Sequence, residues 1–213
     1  MRPCSFMQPI TVLVTVLLGW LLALPVMAAD NQVQRYFQGL QSLSGDFVQQ
    51  VFDADGRLLE TSEGRMWMQR PGRFRWDYRT PFPQLVVADG ERIWLYDQEL
   101  EQVTVKPMDT AMGSTPLALL SGAAPIEEAF QVADRQRLEG LDWYRLTPRQ
   151  AQPEFQALGV AFRGDRLAAI DLQDALGQVT RLTFQDLRRN TRLDPKLFDF
   201  TPPPGVDVLG DVP

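Results

Sequence analysis

Apolar and polar residues alternate with period two from Gly45 to Arg189, short turn signals punctuate the alternation, and a single amphipathic helix precedes it. These three features predict a mainly β protein with a few helices, of α+β class, built on an antiparallel meander. One irregular stretch, 107–130, interrupts the pattern.

The helix is "NQVQRYFQGLQSL", Asn31 to Leu43. Val33, Tyr36, Phe37, Leu40 and Leu43 recur at helical spacing and form one apolar stripe, with Asp30 or Asn31 placed to cap the start. "GDFVQQVF" then reads as a strand that turns at "DADGR" into "LLETSEGRMWMQR". Asp53 and Asp55 resemble the opening of a calcium loop, but the later ligand positions are missing, so an Asp-Gly hairpin turn is the better reading. "RFRWDYR", "QLVVA", "RIWLYD" and "EQVTVK" continue the meander, with a turn at Asp89-Gly90.

Within the interruption, Thr115 followed by Pro116 opens a predicted short helix to Leu120, and another turn is expected near Glu127. Strands resume as "FQVADRQRLEG", "DWYRLTP", "FQALGVAFRGD", "RLAAIDLQDALG" and "VTRLTFQDLRR". A capped turn at Asp194-Pro195 follows, then an extended tail whose prolines suit a sheet edge. The count is ten to eleven antiparallel strands.

Residues 1–28 carry the marks of a secretory signal peptide. Arg2 precedes an apolar run from Ile10 to Leu24, which is shorter than the ~20 residues a membrane-spanning helix needs, and Val26-Met27-Ala28 supplies the small-residue cleavage pattern. The expected mature chain is one domain, 29–213, whose ~185 residues are enough to bury a core. Cys4, the chain's only cysteine, lies ahead of the apolar run and would leave with it, so no lipid attachment, disulfide or thiolate is expected. The chain has no histidine, which removes imidazole as metal ligand or general base.

The formal net charge of −6 becomes more negative when Arg2 is lost, which argues against nucleic acid as a partner. Carboxylates are then the remaining acid and base candidates, yet Asp46, Glu60, Glu63, Asp77, Glu99 and Glu101 are scattered beside basic residues, as on a solvated face. Ser114 stands outside any nucleophile elbow. The expectation is a protein that is not an enzyme and has no cofactor or metal.

In "RFRWDYR", Phe74, Trp76 and Tyr78 share one face and Arg73, Arg75, Asp77 and Arg79 the other. Met66, Trp67, Met68, Ile93, Trp94, Leu95 and Tyr96 add large apolar groups on neighbouring strands. Two readings of this face stand: a core packed between sheet and helices, or a concave surface wider than its few helices can cover, which takes a lipid-like ligand. A transmembrane barrel would need an apolar outward face on strand after strand, and charges recur here instead.

Taken as a set, "FVQQ", "GRMWMQRPGRFRW", "DGERIWLYD", "EQVTV", "GSTPLALL" and "FTPPPGVDV" resemble the periplasmic outer-membrane lipoprotein carrier family, LolA, across essentially the whole mature chain. The resemblance implies an incomplete antiparallel β-barrel of about 11 strands whose concave apolar face is covered by a helical lid. It further implies a periplasmic monomer that takes triacylated outer-membrane lipoproteins from an inner-membrane LolCDE-type release complex and passes them to the receptor LolB. A periplasmic lipid or lipoprotein sensor on the same half-barrel is the alternative. Carried over by position, Arg70 is the latch to the lid; Phe74, Trp76, Met66, Met68, Trp94 and Tyr96 line the acyl-chain cavity; Phe37, Leu40, Pro116, Leu117, Leu119 and Leu120 belong to the lid. Arg73, Arg75 and Arg79 are expected to be solvated.

Overall fold

The computed structural model describes residues 32–108, 126–133, 135–150 and 155–210. Helix α1, Gln32–Gln38, is shorter than the periodicity suggests because the chain extends immediately afterwards. Strand β1 (Ser42–Phe52) is followed by β2 (Leu58–Gln69), β3 (Arg73–Thr80), β4 (Gln84–Asp89), β5 (Arg92–Asp97) and β6 (Gln102–Pro107). After the one-turn helix α2 (Ile126–Ala129) come β7 (Phe130–Val132), β8 (Gln136–Leu138), β9 (Leu141–Pro148), β10 (Ala157–Arg163), β11 (Arg166–Gln173), β12 (Val179–Arg189) and β13 (Asp207–Gly210).

Among the described residues thirteen strands form a single sheet, two more than the upper end of the sequence count. "FQVADRQRLEG" divides into β7 and β8, which both pair with β9, and the proline-rich tail adds β13. Its prolines do favour an edge: β13 lies outermost, but it pairs in parallel with β6, whereas every other pairing is antiparallel. The order runs β13-β6-β5-β4-β3-β2-β1-β12-β11-β10-β9-β7, so the sheet curls without closing.

Curling needs irregularities, and the register shifts at Ser44/Asp46, Val51/Phe52, Glu63/Gly64 and Ala161/Phe162 supply them. Gly64 serves such a close approach. A Cβ there would lie 2.2 Å from the Asp77 carbonyl oxygen and 2.8 Å from the Phe47 ring.

The turns are set by aspartates that fold back on the backbone. Asp53 Oδ1 accepts from the N–H groups of Asp55 and Arg57, and Asp174 Oδ1 does the same for Leu176 and Gln178. Asp53 and Asp55 thus belong to a hairpin turn. No group of three or more potential metal ligands occurs among the described residues.

The inner face of the curl carries the larger core. It joins Val33, Tyr36 and Phe37 of α1 to Phe47, Met66, Phe74, Leu146, Phe162, Ile170 and Leu182 from strands at both sides of the sheet. A smaller outer core, Leu85, Val87, Trp94, Val103 and Val105, is covered by the C-terminal segment through Phe200, Val206 and Val208. That segment turns at Pro195–Phe198, where Asp194 caps the Lys196 N–H. It also shelters Arg75, which donates to the Leu197 carbonyl at 3.5 Å and is half-buried rather than solvated.

Candidate functional site

Alternation along β3 puts Phe74 and Trp76 on the inner face, 1% and 3% exposed, beside the equally buried Met66 and Met68 of β2. Phe47 crosses from β1 into this group, its ring centroid 4.9 Å from Trp76 and 5.1 Å from Tyr78. These rings and thioethers make an apolar surface from adaptable, polarizable groups. Tyr78 closes it at one end by donating to Gln49 Oε1 at 3.0 Å. Burial, with Glu60 nearby, pushes its hydroxyl pKa well above the ordinary tyrosine value.

The other end is closed by α1. Its last carbonyls have no partner within the helix, and three side chains from two strand ends receive them. Arg70, in the β2–β3 turn, donates from Nη1 to the Phe37 carbonyl at 2.8 Å. Arg189, at the end of β12, donates from Nη2 to the Tyr36 carbonyl at 2.8 Å and lies 4.8 Å over the Tyr36 ring. Asn190 donates to the Gly39 carbonyl at 2.8 Å and accepts from the Gln41 N–H at 2.8 Å.

Cations are favoured at a helix C-terminus, and each charged hydrogen bond contributes about 1.5–3 kcal/mol. Gly39 leaves the room this needs, since a Cβ there would fall 2.8 Å from Arg189 Nη2. Burial lowers the Arg70 pKa from its ordinary value, and burial pushes the Tyr36 hydroxyl up to about 12 against the opposing pull of Arg189.

The structure therefore brings Arg70, Phe37, Leu40, Met66, Met68, Phe74 and Trp76 to one side of the sheet. Trp94 and Tyr96 are a correction: they lie on the other side. In β5 the inward positions are Ile93 and Leu95, while Trp94 and Tyr96 stack 5.8 and 6.0 Å from Phe200 in the outer core. The Trp94 indole N–H is taken by Asp89 Oδ2 at 3.1 Å. Because β5 is covered on both sides, its sequence is apolar throughout and carries no parity signal. Pro116, Leu117, Leu119 and Leu120, with the predicted helix from Thr115, lie outside the described residues. Arg189 and Asn190 were missed by sequence reasoning; their one trace is a basic end to a strand, "RRN".

The described residues thus form an open sheet with a buried apolar inner face, closed at one end by a helix held through polar contacts. The comparisons with known proteins give the family. The model of "Outer membrane lipoprotein carrier protein LolA" matches residues 38–201. An outer-membrane lipoprotein carrier protein from Methylococcus capsulatus is 42% identical over 182 residues, 85% of this chain and 88% of that one. Another, from Methylobacillus flagellatus, is 37% identical over 208 residues, 97% and 99% of the two chains. The chain belongs to this carrier family. The fold is also similar to the crystal structure of an uncharacterized conserved protein from Thermus thermophilus, at a TM-score of 0.52 and 14% identity over 84% of this chain and 94% of that one.

Proposed function

We propose that this protein is a periplasmic chaperone that holds the acyl chains of outer-membrane lipoproteins against the inner face of its sheet. On this reading it accepts triacylated cargo from an inner-membrane LolCDE-type complex, crosses as a monomer in a 29–213 mature form, and releases the cargo to LolB. The observation that carries the proposal is the pairing of an apolar inner face with a helix end held by Arg70, Arg189 and Asn190.

The physical difficulty of such a carrier is letting go. Each buried methylene contributes ~0.8 kcal/mol, so several long chains on a freely open face would bind too tightly to be passed on. Hydrogen bonds that stabilise the closed, empty form oppose loading, because the ligand must displace α1 from groups it otherwise satisfies. Loading then stores part of the acyl binding energy as broken polar contacts, and delivery to a receptor that binds the chains without this cost runs downhill.

The test is to purify the mature protein from envelope extract and identify what co-elutes. Acylated lipoproteins are expected, and a cargo mutant without its acylated cysteine should be lost from the complex. Equal recovery of acylated and unacylated cargo would sink the reading.

A further inference from the structure

We propose that the indole N–H of Trp76 is held in reserve for a carbonyl of the bound acyl chain, so that the inner face reads the ester or amide linkage and not hydrocarbon alone. The proposal rests on the carrier reading above and gives it a chemical specificity.

Trp76 is 3% exposed, and its Nε1 is a buried donor with no hydrogen-bond partner among the described residues. Arg65 Nε and Gln69 Oε1 are the other buried side-chain atoms without a hydrogen-bond partner among the described residues, whereas other tryptophan and tyrosine tips do find one. Trp94 Nε1 reaches Asp89, the Tyr78 hydroxyl reaches Gln49, and the Tyr144 hydroxyl reaches Gln32 at 3.2 Å. A buried donor left unmade is costly and uncommon, and it calls for an explanation. Around Trp76 the inner face presents Phe47, Met66 and Phe74, whose rings and thioether are at best weak acceptors.

An indole N–H donates only, so its complement is an acceptor oxygen. In an acyl chain the strong acceptor is the carbonyl at its head, and the rest is methylene. Met66 faces Trp76 across the ladder and stands four residues before Arg70, so at ~3.3 Å per residue the donor is ~13 Å along the strand from the latch. A carbonyl bound there fixes how far along the inner face each chain begins. Ester and amide carbonyls occur in acylated proteins and in phospholipids alike, and the chemistry at Trp76 is the same for both.

The experiment compares matched ligands. A diacyl lipopeptide and its dialkyl ether analogue, and a diacyl phosphatidylglycerol and its ether analogue, are titrated into the purified mature protein. The ester member should bind roughly five- to thirty-fold more tightly, as expected for one buried hydrogen bond gained, and Trp76→Phe should bring the ratio to about one. Preference for ester in both pairs supports a general carbonyl readout, and preference in the lipopeptide pair alone supports one tuned to acylated protein.

Labelling tryptophan with 15N makes the test independent of that variant's folding. The Trp76 indole resonance, assigned by replacing Trp67, Trp94 and Trp143 in turn, should move downfield with the ester ligand and not with the ether. Equal ester and ether binding, or an indole resonance indifferent to the carbonyl, overturns the proposal and leaves the carrier reading standing. If neither lipopeptide binds, both fail.

Discussion

Arg70 Nη1 donates to the Phe37 carbonyl at 2.8 Å, and this bond ties the β2–β3 turn to the last turn of α1 across 33 residues of chain. The Arg70 backbone N–H adds a bond to the Gln41 carbonyl at 2.8 Å, so both ends of the residue engage the segment between helix and sheet. Replacing Arg70 with leucine removes the side-chain bond while keeping an apolar stem against the inner face. The expected outcome is a loss of about 1–3 kcal/mol, or a few degrees in Tm. The variant should load acylated lipoprotein as well as or better than the wild type and fail to hand it on. Normal transfer to the receptor in a reconstituted assay would show that Arg70 is not the latch.

Phe74 and Tyr96 separate the two faces experimentally. Phe74→Glu places a carboxylate on the buried apolar inner face and should abolish acyl loading in a protein that still folds. Tyr96→Ser loosens the outer core under Phe200 and should lower the unfolding midpoint without changing loading. A photocrosslinker at 74 should label a lipopeptide and one at 96 should not. Labelling from 96, or normal loading by folded Phe74→Glu, contradicts the assignment of faces.

The difference between those residues shows what the sequence made legible. Phe74 and Trp76 alternate with Arg73, Arg75 and Asp77, so their shared face follows from period two alone. In "RIWLYD" both faces are apolar, because the C-terminal segment covers the outer one, and parity is silent until the pairings Val87↔Trp94 and Leu85↔Tyr96 are seen. Arg70 stands apart from its neighbours through the family resemblance, since nothing local distinguishes it from Arg73. Arg189 and Asn190 reach α1 from 153 and 151 residues away, a separation that no local pattern spans. β13 runs parallel because the tail returns along β6 after the Pro195–Phe198 turn, whereas its prolines alone indicate only an edge.

Gly64 is where the inner face depends on an absent side chain. Gly64→Ala would drive a methyl into the Asp77 carbonyl and the Phe47 ring, at separations no real Cβ tolerates. Either β2 shifts from β3 or Phe47 leaves its place against Trp76 and Tyr78. The expected cost is at least about 2 kcal/mol in denaturant unfolding, with loss of the near-ultraviolet dichroism of the packed rings. Ala54→Gly, in the β1–β2 turn, serves as a control in which no methyl is forced into that ring cluster, so it should leave the dichroism unchanged. A Gly64→Ala protein as stable as wild type would mean that β2 and β3 separate more easily than their register suggests.

Alkaline conditions should unfold the protein through its buried tyrosines. Burial pushes the Tyr36 hydroxyl up to about 12, and Tyr78 is raised in the same direction by burial and by Glu60. Both pKa values are raised on folding, so the stability these groups contribute is whole below the unfolded tyrosine value of ~10 and is lost as pH rises toward the folded values. Across that window each group should remove about 1.4 kcal/mol of stability per pH unit. Urea midpoints measured from pH 9 to 11.5 should fall steeply for wild type. They should flatten for Tyr36→Phe and again when Tyr78→Phe is added, even though the second change costs stability at neutral pH by leaving Gln49 Oε1 without its donor. An unchanged slope in the double variant would place the alkaline sensitivity elsewhere.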